Sequence, residues 1–384
     1  MKTIYLDHAA TTPLHPEVRE AMLPYLGGMF GNPSSIHSYG RATGEAVRTA
    51  RDLIADKLGC GPQELIFTAS GSESDNLAII GAVEALRKDR KRPVHVITTQ
   101  IEHHAVLGAC RRLEDTGVEV TYLPVDVHGR VSVDDVAAAI RPETALISVM
   151  FGNNEVGTLQ PIEEIGALAR ERGILFHVDA VQALGMVPIR LSELPVDLMS
   201  FAAHKINGPM GIGLLYVSRR VRLAPLVSGG NQERKRRAGT ENVPGIVGFA
   251  RAVELAVDHV GDRSGQCRGL GDELLRQLGE LLPEGAFALN GHPSLRLPHI
   301  VNVSFPGVSS ETMLMKLDLN GIAAASGSAC SSGSLEPSHV LMAMGLPDER
   351  VRSAVRFSFG FGNVHEDVTF AANLVATIVR QLRK

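Results

Sequence analysis

The sequence predicts an α/β protein: a large domain with a mainly parallel seven-stranded sheet flanked by helices, joined to a smaller α+β domain. Three observations lead there. Seven short apolar runs recur between residues 64 and 217, amphipathic helical patterns separate several of them, and this alternation ends near residue 256. Apolar strands alternating with helices indicate a parallel sheet covered on both faces.

The runs are ELIFT (64–68), VHVITT (94–99), VEVTYLP (118–124), ALISVMF (145–151), ILFHVDA (174–180), DLMSF (197–201) and GIGLLYV (211–217). Helical patterns include EVREAMLPYL, GEAVRTARDLIADKL and IEEIGALARER. GIGLLYV follows DLMSF too closely for a helical crossover, so it is expected to add antiparallel. The pattern does not give the strand order. Further on come a long helix near 263–282, the runs AFALN and PHIVNVSF, the helix SSETMLMKLDLNG, a loop holding Cys330, another helix, VRSAVRFSFG and a last helix to Lys384. The expected division is a large domain over 16–258 and a smaller one from 1–15 with 259–384. Linker chemistry is weak, and GDRSGQ (261–266) is the best boundary candidate.

Composition narrows the function. The 384 residues exceed the usual length of one domain, and 44 % apolar with 21 % charged residues is ordinary for a globular chain. A net charge of −4 gives no overall attraction to nucleic acid or to an anionic membrane. The start, MKTIYLDHAATTPLHP, lacks an apolar signal core, and four cysteines (60, 110, 267, 330) stand apart without CxxC pairs. These features favour a cytoplasmic protein over a disulfide framework or a zinc site. RKRRAGTEN (234–242) is basic, but the chain is acidic and has no tryptophan for stacking, so it reads as a solvated face or a phosphate-neutralising tract.

Ligands of open α/β sheets gather past the carboxyl ends of the strands. After ELIFT comes ASGSESDNLAII, either a phosphate-binding helix start or a helix capped by its own acidic residues. After ILFHV come Asp179 and Gln182, and after DLMSF comes AAHKINGP with Lys205. Asp179 alone reads equally as a helix cap, and Lys205 alone as a solvated turn lysine. A desolvated lysine is also a nucleophile toward carbonyls. A lysine, a carboxylate and a helix start together are what pyridoxal phosphate asks of a protein. His103 and His104 point apart, and one of them can stack on an aromatic ring. Asn154 lies beyond another strand, and Arg356 suits a carboxylate.

YLDHAATTP, GNPSSIHSYGR, GSESDNLAI, EHHAVL, NNEVGTLQPI, HVDAVQ, SFAAHKINGP, RAGTENV, SGSACSSGSLEPSHVL and RFSFG resemble the cysteine desulfurases of the NifS/IscS-like group, within the class V aminotransferases of pyridoxal-phosphate fold type I. The resemblance spans residues 5 to about 360 and implies that 16–258 bind the cofactor. Lys205 would hold the cofactor covalently and Asp179 its ring nitrogen. Gln182 would meet its phenolic oxygen, and His104 would stack on it and assist catalysis. Gly71, Ser72 and His204 would bind the phosphate, joined by Thr240 of a second subunit in a homodimer. Asn154, Arg356 and Asn32 would hold the L-cysteine substrate. Cys330, among small residues, would take its sulfur as a persulfide and pass it to an acceptor such as an iron–sulfur scaffold or a tRNA thiolation enzyme. A selenocysteine lyase or another class V enzyme is the alternative. Three residues depart from the family pattern: Ala202 for serine, Met210 for lysine and Phe361 for arginine.

Overall fold

The computed structural model describes residues 3–90, 93–327 and 337–383. The chain opens with β1 (Ile4–Tyr5), α1 (Pro16–Leu26) and α2 (Ser38–Leu58). Next come β2 (Leu65–Thr68), α3 (Gly71–Arg90), β3 (His95–Thr99), α4 (His104–Glu114), β4 (Glu119–Leu123) and α5 (Val133–Ala139). β5 (Thr144–Ser148), α6 (Ile162–Glu171), β6 (Leu175–Asp179), β7 (Leu198–Ala202) and β8 (Gly213–Val217) follow. Each apolar run is a strand, and the seven form one sheet in the order β2-β8-β7-β6-β5-β3-β4.

β8 runs antiparallel to β7 and β2, as its short connection requires, and the remaining pairs are parallel. Side chains alternate across the sheet. Leu65, Phe67, Ile97, Ile147, Phe176 and Val178 enter one buried cluster with Ile246, Phe249 and Val253. Ile66, Val96, Leu146, Leu198 and Leu215 enter another with Leu77, Ile80 and Val106. Helices therefore cover both faces. Because β8 opposes both its neighbours, β2, β3, β5, β6 and β7 all point one way, and their carboxyl ends share one edge.

Helices Val243–Asp258 and Val260–Leu281 lead into the second half. Gly261–Gln266, the boundary candidate, form the first turns of the second of these helices. Glycine there disfavours helix by up to about 1 kcal/mol relative to alanine, and serine by less. Cys267, Leu270, Leu274 and Leu278 bury one stripe of the same helix, and a buried leucine is worth about 1.5–3 kcal/mol. Burial decides. Beyond lie β9 (Ala288–Asn290), β10 (Ile300–Ser304), β11 (Ile322–Ala323), β12 (Ala354–Ser358) and a final helix, His365–Leu382. β12, β10 and β9 make an antiparallel sheet in that order. The single helix expected after the Cys330 stretch is two short ones, His339–Ala343 and Asp348–Arg352. β1 pairs in parallel with β11, and Asp7 bridges to Ser358. The first dozen residues then cross to the edge of the large sheet.

Candidate active site

A cleft of about 310 Å³ lies at that edge. Seven of the expected residues line it: Gly71 and Ser72 after β2, Asn154 after β5, Asp179 and Gln182 at the end of β6, and His204 and Lys205 after β7. Ala9 and Ala10 of the N-terminal arm close one side.

Lys205 ends a single 3₁₀ turn, Ala203–Lys205. Its Nζ donates to the carbonyls of Ala9 at 2.5 Å and Ala10 at 2.7 Å. The arm is fixed there by Thr12, whose Oγ1 donates to His204 O at 2.8 Å and accepts from Asn207 N. Asp179 Oδ1 accepts from Val181 N at 2.9 Å. Burial pushes its carboxyl up to about 6, against the opposing pull of the Val181 N–H and the Lys205 amine. Gln182 Nε2 donates to Ala9 O at 2.8 Å, and its Oε1 lies 3.2 Å from His299 Nε2. Burial first, then Lys205, lowers His204 to about 4, so its ring is neutral at pH 7.

Gly71 and Ser72 open α3, where backbone N–H groups lack helical acceptors. A methyl group on Gly71 would lie 2.7 Å from Val181 Cγ2, so only glycine lets this helix start approach the end of β6. Ser70 Oγ accepts from Glu73 N, and the Glu73 carboxylate accepts from Ala69 N and pairs with Arg237. The acidic residue and part of the basic tract thus hold the turn. Ala202 lines the cleft with a methyl group.

The other candidates lie elsewhere. His104 is the first residue of α4 and is exposed, with its ring 4.7 Å from that of His339. Its neighbour His103 lines the cleft, which corrects the sequence assignment. His103 is the N-cap of α4, its Nδ1 accepting from Ala105 N at 3.1 Å. Burial, helped by Lys205, lowers it to about 4, so the neutral ring carries its proton on Nε2. Arg356 is buried behind the cleft, donating to Asn154 O at 2.8 Å and to Asp7 Oδ1 at 2.9 Å. Thr240 lines a separate cavity of about 130 Å³ with Thr68 and Arg237. Asn32 is exposed, and its Oδ1 accepts from Ser34 N within its own turn. Cys330 lies outside the described residues.

The family model for class V aminotransferases matches residues 4–370. The chain belongs to the class V aminotransferase family. It is 52 % identical over 386 residues to a putative cysteine desulfurase IscS 1 of Bacillus subtilis (strain 168), covering all of both chains. It is 50 % identical over 382 residues to the cysteine desulfurase IscS of Methanosarcina thermophila, covering all of this chain and 93 % of that one. A solved NifS-like protein superposes with a TM-score of 0.92 at 35 % identity, over 99 % of this chain and all of that one. The structure of SspA in complex with cysteine gives 0.81 at 37 % identity, over 94 % and 100 %.

Sequence reasoning missed other polar groups in and near the cleft. The arm's carbonyls on Lys205 had no signal, since backbone atoms leave none. Asp75 lines the cleft, although in sequence it reads as a charge near a helix start. Glu102 is fully buried. Its Oε1 accepts from Thr99 Oγ1 at 2.7 Å and from Met150 N at 3.1 Å, and its Oε2 has no partner among the described residues. Burial pushes its carboxyl up to about 8 from 4.5. The unfolded chain has already lost this proton at pH 7, whereas the folded chain loses it between pH 7 and 9. Stability is therefore lost as pH rises, by about 1 kcal/mol over that interval. Glu102→Gln removes this loss. Urea denaturation of both proteins at pH 7 and pH 9 should show their stability difference changing by that amount, and a constant difference would mean Glu102 is already ionised at pH 7.

Proposed function

We propose that this chain is a pyridoxal-phosphate-dependent cysteine desulfurase acting as a homodimer. The observation that carries this reading is the convergence of an amine, a carboxyl and a helix start, from three separate strand ends, on one cleft. The residues fit the cofactor. The helix start and His204 suit a phosphate, Asp179 a ring nitrogen, His103 a ring face, Gln182 a phenolic oxygen and Lys205 an aldehyde. Bound there, the cofactor supplies that aldehyde and a ring that accepts an electron pair from the substrate's α-carbon.

The chain's own groups do the remainder. Lys205 would hold the cofactor's aldehyde and, as a free amine, would take the proton from the substrate Cα. Asp179, ionised against the ring nitrogen, keeps that nitrogen protonated. His103, with its proton on Nε2, faces the cleft as a donor. Asn154 and Arg356 orient the substrate carboxylate. The Cys330 thiolate attacks the substrate sulfur, so an S–S bond forms as the C–S bond breaks, and its electron pair stays on the carbon that becomes alanine's methyl. The products are alanine and a Cys330 persulfide, which an acceptor protein receives. Exposed Leu26, Phe30, Ile36 and Tyr39 support a covered dimer face near α1 and α2, with Thr240 reaching the second subunit's phosphate site.

The purified protein, supplied with pyridoxal phosphate and L-cysteine, should release one alanine for each sulfide formed under a thiol reductant. Pyruvate-dependent loss of the amino group without sulfide would instead make it an aminotransferase. Arg356→Lys keeps the charge but loses the planar fork. It should raise KM for cysteine about 10- to 100-fold and leave the cofactor spectrum unchanged, consistent with the loss of a charge-assisted hydrogen bond. Steady-state assays check this.

A further inference from the structure

Asp75 stands one turn into α3, with its side chain 2 % exposed, and shares the cleft lining with Asp179. Its Oδ1 has no hydrogen-bond partner among the described residues. The nearest ring nitrogen is His177 Nε2 on β6, at 3.6 Å. That nitrogen lies 3.0 Å from Ser200 Oγ, and His177 Nδ1 lies 2.8 Å from Ser148 Oγ. Burial lowers His177 to about 3, so it is neutral and supplies no positive charge.

Resting on the reading above, we propose that Asp75 is a positioning residue that keeps its carboxyl proton and so leaves the negative charge of the pair on Asp179, opposite the ring nitrogen. Two carboxyls in one buried cleft do not both ionise unless a cation compensates each. The groups facing the pair decide which one does. Asp179 has the Val181 N–H and the Lys205 amine. Asp75 has the Ser200 hydroxyl beside it as the one group favouring its charged form, while burial, Asp179 and Glu102 all oppose ionisation. His103, also in the cleft lining, is neutral.

Infrared spectra of the full chain test this, before and after loading with pyridoxal phosphate. At pH 7 the difference between wild type and Asp75→Asn should show loss of one un-ionised carboxyl stretch, and the pH midpoint of the bound cofactor's absorbance should not move. Loss of a carboxylate stretch, or a midpoint shift of about one unit or more, equivalent to tenfold, would overturn the assignment. Asp179→Asn gives a second route if Asp75→Asn fails to fold. Without the neighbouring charge, the Asp75 stretch should titrate at lower pH than in wild type, and an unmoved titration would equally refute the proposal. The unloaded spectra stand whether or not the protein binds pyridoxal phosphate. A colourless wild type would refute the cofactor reading alone.

Discussion

Replacing Lys205 by alanine should lower desulfurase turnover by about 10³-fold or more, because in the proposed reaction the same amine holds the cofactor and moves the Cα proton. Borohydride reduction of the loaded wild type should fix the cofactor's mass on the chain, and the variant should gain none. The cause is local. Lys205 sits where β7 ends, and its amine is held within the cleft by Ala9 and Ala10. Other nitrogen groups at the edge, such as His204 and His103, are neutral imidazoles that cannot substitute for it. An unchanged visible spectrum in Lys205→Ala would remove this residue from the chemistry.

Cys330→Ala should have the opposite signature. The cofactor spectrum should match wild type, while sulfide release and the extra sulfur on the chain vanish. Mass spectrometry after addition of cysteine reads both proteins. The residues bounding the thiol stretch support the role. Ser338 Oγ donates to the buried Glu155 Oε2 at 2.5 Å, and a methyl group on Gly327 would coincide with the same oxygen. Both bounds therefore meet at the residue after Asn154, which lines the cleft. Gly327 precedes Cys330 by three residues, a contour of about 11 Å. Normal persulfide yield in Cys330→Ala would end the thiol's part.

The sequence made the sheet legible because every strand but β4 is buried on both faces and so reads as a continuous apolar run. It also exposed the amine, carboxyl and helix start, because each directly follows such a run. Strand order was hidden, since it depends on pairing rather than on local pattern. The choice between His103 and His104 was hidden too. It turns on where α4 begins, and helix ends are the least certain feature of any pattern. Asp75 was obscured because an acidic residue near a helix start has an ordinary electrostatic explanation. The helical state of Gly261–Gln266 was hidden because it depends on the stripe buried two turns later rather than on local composition.

The arm that holds Lys205 also sets a timetable for synthesis. Ile4 and Tyr5 leave the ribosome more than 300 residues before their strand partners, Ile322 and Ala323. At about 5–20 residues per second the nascent arm waits roughly 15–60 s for them. The lysine's cradle is therefore complete only when most of the polypeptide has emerged, which would make capture of the proposed cofactor a late event in this molecule's assembly.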